Sequence, residues 1–235
     1  MNNQSLISVV IVSYNAEALL QRCLESIYAQ QYTQIEIILI DGDSKDRTVT
    51  IIQKNAARIA FWISEKDNGI YDAMNKALNY VKGQWVYFIG VDDVLTPEFS
   101  ALAQQLNDPA TIYYGSVWKS GKKYLGKLSP YHQAKTGINH QAMIYPAQVF
   151  AKKRYDTQYT ISADHVLNME LHKDPLYHFE FQNFTIAVFN DTGVSSLKKD
   201  QLFEKRKANL ILQNYGWGIY FRFLFKTLKA KLLKH

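Results

Sequence analysis

Two rhythms of apolar residues alternate along the first 110 positions. Ser8-Val9-Val10-Ile11-Val12 is a short, nearly unbroken apolar run of the kind that forms a strand covered on both faces. Residues 16–30 follow at helical spacing, with Leu19, Leu20, Cys23, Leu24 and Ile27 on one side. The pair then repeats. Ile35 to Ile40 predicts a second buried strand, and Ser44 or Asp46 can cap a helix running to about Ala57. Ile59 to Ile63 predicts a third strand. Ile70, Ala73, Met74, Ala77, Leu78 and Val81 restore the helical period before a fourth strand at Trp85-Val86-Tyr87-Phe88-Ile89. Pro97 suits the first turn of a helix over 97–106. Strands alternating with helices at this interval predict an α/β domain built on a mostly parallel sheet with crossover helices.

Beyond position 110 the rhythm changes. Thr111 to Trp118, the turn Ser120-Gly121-Lys122-Lys123 and Tyr124 to Leu128 read as a hairpin. Residues 147–172 are rich in helical spacing, 176–190 in strand pattern, and 200–233 read as helix. No repeat or linker interrupts the 235 residues, so one domain over 1–197 with an extension over 198–235 is the economical division.

Charge sharpens that division. Residues 1–197 carry 17 basic and 19 acidic groups, whereas 198–235 carry 10 basic and 2 acidic. The net charge of +6 therefore belongs to the tail, and it argues weakly for nucleic-acid binding by the main domain. A single cysteine, Cys23, excludes an internal disulfide and a cysteine-built metal site, which favours a reducing compartment. The start Met1-Asn2-Asn3-Gln4-Ser5 lacks the positive charge of a secretory signal, and no apolar run reaches the roughly 18 residues of a spanning helix. A cytoplasmic protein is expected.

The acidic residues gather where strands end. Asp41, Asp43 and Asp46 follow the second strand, Asp67 the third, and Asp92-Asp93 the fourth. In an open α/β sheet, ligands bind outside the carboxyl ends of the strands, so these carboxylates are expected to line one crevice. Each alone could be a turn or cap residue. Asp92-Asp93 closes an apolar strand, where unpaired charge is costly, and a divalent cation would relieve that cost. Hard oxygen donors suit Mg²⁺ or Mn²⁺ completed by water and phosphate oxygens. No Gly-x-Gly-x-x-Gly or Walker-type loop is present, which counts against a dinucleotide oxidoreductase or a phosphate-loop NTPase.

The stretch Ser8 to Asn15, the element Asp41-Gly42-x-Ser44-x-Asp46-x-Thr48 and Asp92-Asp93 resemble the family 2 glycosyltransferases of the GT-A fold, which is Rossmann-like. Glu65-Lys66-Asp67-Asn68-Gly69-Ile70-Tyr71-Asp72-Ala73-Met74-Asn75-Lys76-Ala77 looks more narrowly like the bacterial exopolysaccharide and O-antigen subgroup. His140-Gln141-Ala142-Met143 and Ser162-Ala163-Asp164-His165 match that subgroup's later motifs. The resemblance implies transfer of a sugar from a nucleotide diphosphate donor, usually with inversion. It places a nucleotide-sugar half at about 1–110 and an acceptor half at about 111–197. Val12, Tyr14, Asn15 and Asp41 would hold the nucleoside, uridine above all, with Asp67 nearby. Asp92 would meet ribose or metal-bound water, and Asp93 would ligate Mn²⁺ or Mg²⁺. The strict metal motif wants an acid where Val91 stands, so Asp93 is the expected ligand.

The acceptor hydroxyl must lose a proton as it attacks, and a carboxylate is the usual base. Asp164 matches the family's base-bearing motif, with an N-cap role shared with Ser162 as its plain alternative and Asp191 and Asp72 as other candidates. His140 is a candidate contact for the diphosphate, the metal shell or the acceptor, or a structural hydrogen-bonding residue. His165 is expected to be packed or exposed. Tyr113, Tyr114, Trp118 and Tyr124 could wall a sugar site, although core and hairpin packing explains them as well.

In the tail, Phe221, Leu224, Phe225, Leu228 and Leu232 recur at helical spacing, flanked by Arg222, Lys226 and Lys229 and preceded by Trp217 and Tyr220. Such a helix can lie on an anionic membrane or dock on protein. The subgroup resemblance implies an acceptor on polyprenyl diphosphate at the cytoplasmic face of a bacterial inner membrane, where 217–235 would hold the protein peripherally. A GT-A-like subunit that binds nucleotide sugar or glycan without turnover is the competing reading. Nucleic-acid binding through the tail would leave the acidic crevice without a purpose.

Overall fold

A computed structural model describes residues 4–190 and 198–233. Strands β1 (Ile7–Ser13), β2 (Ile35–Asp41), β3 (Phe61–Ser64) and β4 (Trp85–Gly90) run parallel in the spatial order β3-β2-β1-β4. Helices α1 (Leu20–Tyr28), α2 (Thr48–Asn55), α3 (Ile70–Ala77) and α4 (Glu98–Ala103) follow them in turn, with the two-residue strand β5 (Val94–Leu95) ahead of α4. All of β1 is buried because both sheet faces are covered. Alternate residues feed two cores. Val10, Val12, Ile38, Ile40, Val86 and Phe88 pack toward α3, whereas Ile7, Val9, Ile11, Leu39, Tyr87 and Ile89 pack toward α1 and α4.

The same sheet continues through the second half of the chain. Strands β6 (Thr111–Lys119), β8 (Met143–Pro146) and β9 (His178–Phe189) extend it in the order β4-β8-β6-β9-β5. β8 is antiparallel to β4 and β6, and β9 is parallel to β6. Strand β7 (Lys122–Tyr124) returns on β6 through Ser120 and Gly121, both at positive φ, as a two-residue hairpin turn of matching twist requires. Helices α5 (Pro130–Thr136), α6 (Ala147–Lys152), α7 (Ala163–Lys173) and α8 (Gln201–Leu232) complete the molecule.

Several boundaries differ from the sequence pattern. The third strand begins at Phe61, because Ala56–Arg58 forms a 3-10 turn and pairing with β2 starts at Ile38 opposite Phe61. The first helix starts only at Leu20, and Leu19 is exposed. The third helix ends at Ala77 and the fourth spans 98–103. The second helix starts at Thr48 without a side-chain cap from Arg47. Ser44 is drawn instead to Asp41, and Asp46 accepts the Thr48 N–H. The hairpin's return stops at Tyr124, 147–172 divides into two helices, and 178–189 is one strand.

The tail helix breaks at Gly216, whose φ of 77° and ψ of 178° only a residue without a Cβ adopts cheaply. Phe203 and Ile211 are buried before the break. Beyond it Ile219, Tyr220 and Phe223 pack against the core. The Arg222 guanidinium stacks 4.2 Å from the Tyr131 ring of α5. The face expected to be apolar from the sequence, Phe221, Leu224, Phe225, Leu228 and Leu232, is exposed together with Trp217. The tail thus carries two apolar faces, one docked on its own domain and one free of it.

Candidate active site

Asp41 ends β2 and lies completely buried. Ser13 at the end of β1 and Ser64 at the end of β3 each donate a hydroxyl to it, at 2.9 and 2.7 Å. Ser44 adds its hydroxyl and its backbone N–H. One carboxylate therefore ties together three neighbouring strand ends, and its four donors compensate the cost of burying it. This side chain is spent on building the loop. Val12 likewise packs its side chain in the core.

The groups that face outward stand above that carboxylate. Tyr14 is 64% exposed, and Asn15 is exposed at a φ of 47°. Asn15 donates its N–H to Ser44 Oγ and accepts from the Lys45 N–H, both at 2.8 Å. A Cβ on Gly42 would lie 2.6 Å from Asp67 Oδ2 and 3.4 Å from the Tyr14 ring. The missing side chain is what lets Asp67 fold over this loop. Together Tyr14, the loop backbone and Asp67 offer a flat apolar surface beside a carboxylate acceptor, a pairing suited to an aromatic heterocycle with N–H donors.

Asp93 is 1% exposed and accepts from Gln141 Nε2 and from the Asn190 N–H, each at 2.8 Å. Burial pushes its carboxyl up to about 6. The negative Asp92 adds to the rise, and the Asn190 and Gln141 hydrogen bonds and the nearby His140 oppose it. Asp92 is partly exposed. Both carboxylates curl back over Gly90, 2.7 and 2.8 Å from where a Cβ would stand. Among the described residues no group of three or more His, Cys, Asp or Glu is assembled to hold a metal. A pair of hard oxygen donors with substrate-supplied remaining ligands nevertheless fits Mg²⁺ or Mn²⁺, which commonly keep only one or two protein carboxylates.

Asp164, in the first turn of α7, reaches the turn that carries Gln141 through the neighbouring His140. Its Oδ1 accepts from Tyr71 Oη at 2.9 Å and from the His165 N–H at 2.8 Å; its Oδ2 lies 3.1 Å from His140 Nδ1. Burial raises its pKa, but the hydrogen bond and charge of His140 and the Tyr71 hydroxyl outweigh that, holding it below the ordinary carboxylate value. Ser162 at the N-cap makes no side-chain capping bond, and the loop before α7 is fixed by Asp200, which accepts from Ile161 and Ser162. His140 is buried, and its Nε2 has no hydrogen-bond partner among the described residues.

The other candidates fall elsewhere. Asp72 accepts the Asn68 N–H and lies 3.7 Å from Lys76, tying a loop. Asp191 lies outside the described residues. His165 is packed, with Nε2 at 3.0 Å from the Gln133 carbonyl and its ring against Phe203. Tyr113 and Tyr114 belong to the core, while Trp118 and Tyr124 are exposed on the hairpin. Cys23 is buried, and burial pushes its thiol far up. Tyr71, Gln141 and Asn75 were missed as contributors. Asn75 exchanges two hydrogen bonds with the Tyr155 backbone. All three lie inside motifs visible in the sequence, but helical periodicity assigned Tyr71 and Asn75 no chemistry.

The family model for glycosyl transferase family 2 matches residues 8–174, a span that contains Asp41, Asp67, Asp92, Asp93, His140 and Asp164. The chain belongs to glycosyl transferase family 2. This family 2 glycosyltransferase is 29% identical over 218 residues to a "PGL/p-HBAD biosynthesis glycosyltransferase" of Mycobacterium bovis, covering 86% of this chain and 83% of that one. It is 35% identical over 96 residues to the chondroitin synthase of Escherichia coli, which is 40% of this chain and 14% of that one. Solved GT-A structures share its fold. S. aureus TarS 1–349 superposes with a TM-score of 0.70 at 15% identity, over 89% of this chain and 66% of TarS. The mannosyltransferase PcManGT of Pyrobaculum calidifontis, solved with GDP-Man and Mn²⁺, gives 0.66 at 15%, over 91% and 64%.

Proposed function

We propose that this glycosyltransferase moves a sugar from a UDP-sugar to a saccharide carried on polyprenyl diphosphate, in bacterial surface polysaccharide synthesis of the O-antigen or exopolysaccharide kind. The observation that carries the reading is the pair of acidic stations bonded to consecutive residues, Asp164 to His140 and Asp93 to Gln141. Asp92-Asp93 stands at the end of β4, and Asp164 comes from α7 and is held by Tyr71 and His140. Two groups of opposite task are what a single displacement at an anomeric carbon needs. TarS has been solved with UDP-GlcNAc, which supports a nucleotide-sugar donor.

In this reading Tyr14, Asn15 and Asp67 receive the nucleoside, and Asp41 keeps their loop in place from below. Asp93, with Asp92 beside it, would hold Mn²⁺ or Mg²⁺, which supplies charge stabilisation to the departing diphosphate. Asp164 accepts the acceptor's proton as the hydroxyl oxygen bonds to the anomeric carbon. The bond from that carbon to the phosphate oxygen breaks, and its electron pair leaves with UDP. Attack opposite the leaving group inverts the anomeric centre. Asp164→Asn is expected to lower turnover by about a thousandfold with donor affinity nearly unchanged. Activity near wild type would place the base elsewhere.

The exposed tail face supports a peripheral membrane location. Trp217 stacks on Phe221, and Phe225 and Leu228 continue that face among Arg222, Lys226 and Lys229. No helix among the described residues is long and apolar enough to cross a membrane. A thermal-shift screen of nucleotide sugars with Mn²⁺ identifies the donor, since a ligand that binds only the folded state raises the midpoint.

A further inference from the structure

The two acidic stations are held by consecutive residues. His140 Nδ1 lies 3.1 Å from Asp164 Oδ2, and Gln141 Nε2 donates to Asp93 Oδ2 at 2.8 Å. Both residues are buried, and both belong to one 3-10 turn, His140–Ala142. The turn is itself pinned. Tyr87 of β4 donates its hydroxyl to the Gln141 carbonyl at 2.7 Å, and the Ala142 N–H bonds to the Asn139 carbonyl at 2.9 Å. Asp93 follows the same strand that carries Tyr87, so strand, turn and both acids form one closed loop of contacts.

We propose that the His140-Gln141 turn is a two-armed positioning element, in which His140 acts through Asp164 and Gln141 acts through Asp93 to fix the spacing between base and leaving-group station. The proposal rests on the roles given above to Asp164 and Asp93. Consecutive Cα atoms across a trans peptide stay 3.8 Å apart, so two side chains of one turn transmit a nearly fixed separation. Displacement catalysis is steep in such distances, with about a hundredfold lost for an error near 1 Å.

The arrangement also fixes a tautomer. An ionised Asp164 only accepts, so His140 carries a proton on Nδ1, and the neutral ring in this contact is the Nδ1–H tautomer. The groups that face Asp164 are His140 from the turn, Tyr71 from α3, Tyr145 from β8, Tyr155 and the adjoining His165. The tyrosines stay neutral because burial raises them, and His165 is held neutral by burial, at about 4.

The test uses the full chain, with UDP release from UDP-GlcNAc and Mn²⁺ as the turnover probe. His140→Ala is expected to lower kcat about a hundredfold, leave donor KM within about twofold and move the acidic limb of the pH profile upward. His140→Asn keeps an N–H near Nδ1 and should recover at least about tenfold of that loss. Gln141→Ala should weaken Mn²⁺ binding about tenfold in an EPR titration with UDP, which His140→Ala should not do. Two readouts need no turnover at all, the EPR titration and the ¹⁵N spectrum of histidine-labelled protein. In that spectrum His140 should appear as the Nδ1–H tautomer and lose that signature in Asp164→Ala. An Nε2–H tautomer in the wild type overturns the proposal, as does a pattern in which both variants depress kcat, KM and Mn²⁺ affinity in parallel. If Asp164→Asn stays active, the base assignment has failed. If it is inactive while His140→Ala leaves the pH limb unmoved, only the positioning turn has failed.

Discussion

Removing the carboxylate of Asp41 would leave three hydroxyls and a backbone N–H without their shared acceptor, beneath the ends of β1, β2 and β3. Asp41→Ala is expected to cost about 2–4 kcal/mol in a denaturant titration, more than an exposed loop aspartate would. Gly42 is as restrictive on the other side of the loop. Gly42→Ala drives a methyl to within 2.6 Å of Asp67 Oδ2, so calorimetry should show donor binding weakened about tenfold while the fold persists. His165 makes a pH prediction. Burial lowers its pKa to about 4 from an ordinary 6.5, so between those values the unfolded chain takes up the proton and the folded chain does not. Stability therefore falls as pH drops from 6.5 toward 4, by about 3 kcal/mol. Asp93, raised to about 6, works in the opposite sense, so the measurement is the difference between wild type and His165→Asn, which should flatten that window. Equal pH slopes in the two proteins would remove the assignment.

At the scale of elements, the tail helix separates two properties that one deletion would confuse. Removing 217–235 takes away the docked residues Ile219, Tyr220 and Phe223 along with the exposed face. The triple substitution Trp217→Ser, Phe221→Ser, Phe225→Ser alters the exposed face alone. It should abolish co-sedimentation with vesicles containing anionic lipid and leave the unfolding midpoint nearly unchanged. Phe223→Ala should do the reverse, costing about 1–2 kcal/mol of stability with vesicle binding intact. The helical period of this tail was legible in the sequence, as were the first four strands, because helical spacing and short apolar runs are local properties. The side on which it docks was not. Phe223, outside the apolar set that the helical spacing picked out, belongs to the face that meets the domain.

For the whole molecule, the sheet runs unbroken from β3 to β5, and the acidic residues collect where β2, β3 and β4 end. EDTA is expected to abolish transfer and added Mn²⁺ or Mg²⁺ to restore it; turnover that survives chelation would remove the metal from the scheme. The sequence by itself determined the alternating core, the strand tips at which carboxylates collect, and the segregation of positive charge into the tail, since each follows from residue order within a short window. Tertiary structure alone decided which carboxylate would be buried among hydroxyls and which would stay partly exposed. Asp41 and Asp67 look alike as loop residues, but Ser13 and Ser64 from distant segments join the neighbouring Ser44 in claiming the first, and Gly42 gives the second room to reach over. It also decided that His140 meets Asp164, 24 residues away, while Gln141 turns to Asp93. Hydrogen-bond partnership depends on which segments share a buried volume, and that is settled only when the helices close over the sheet.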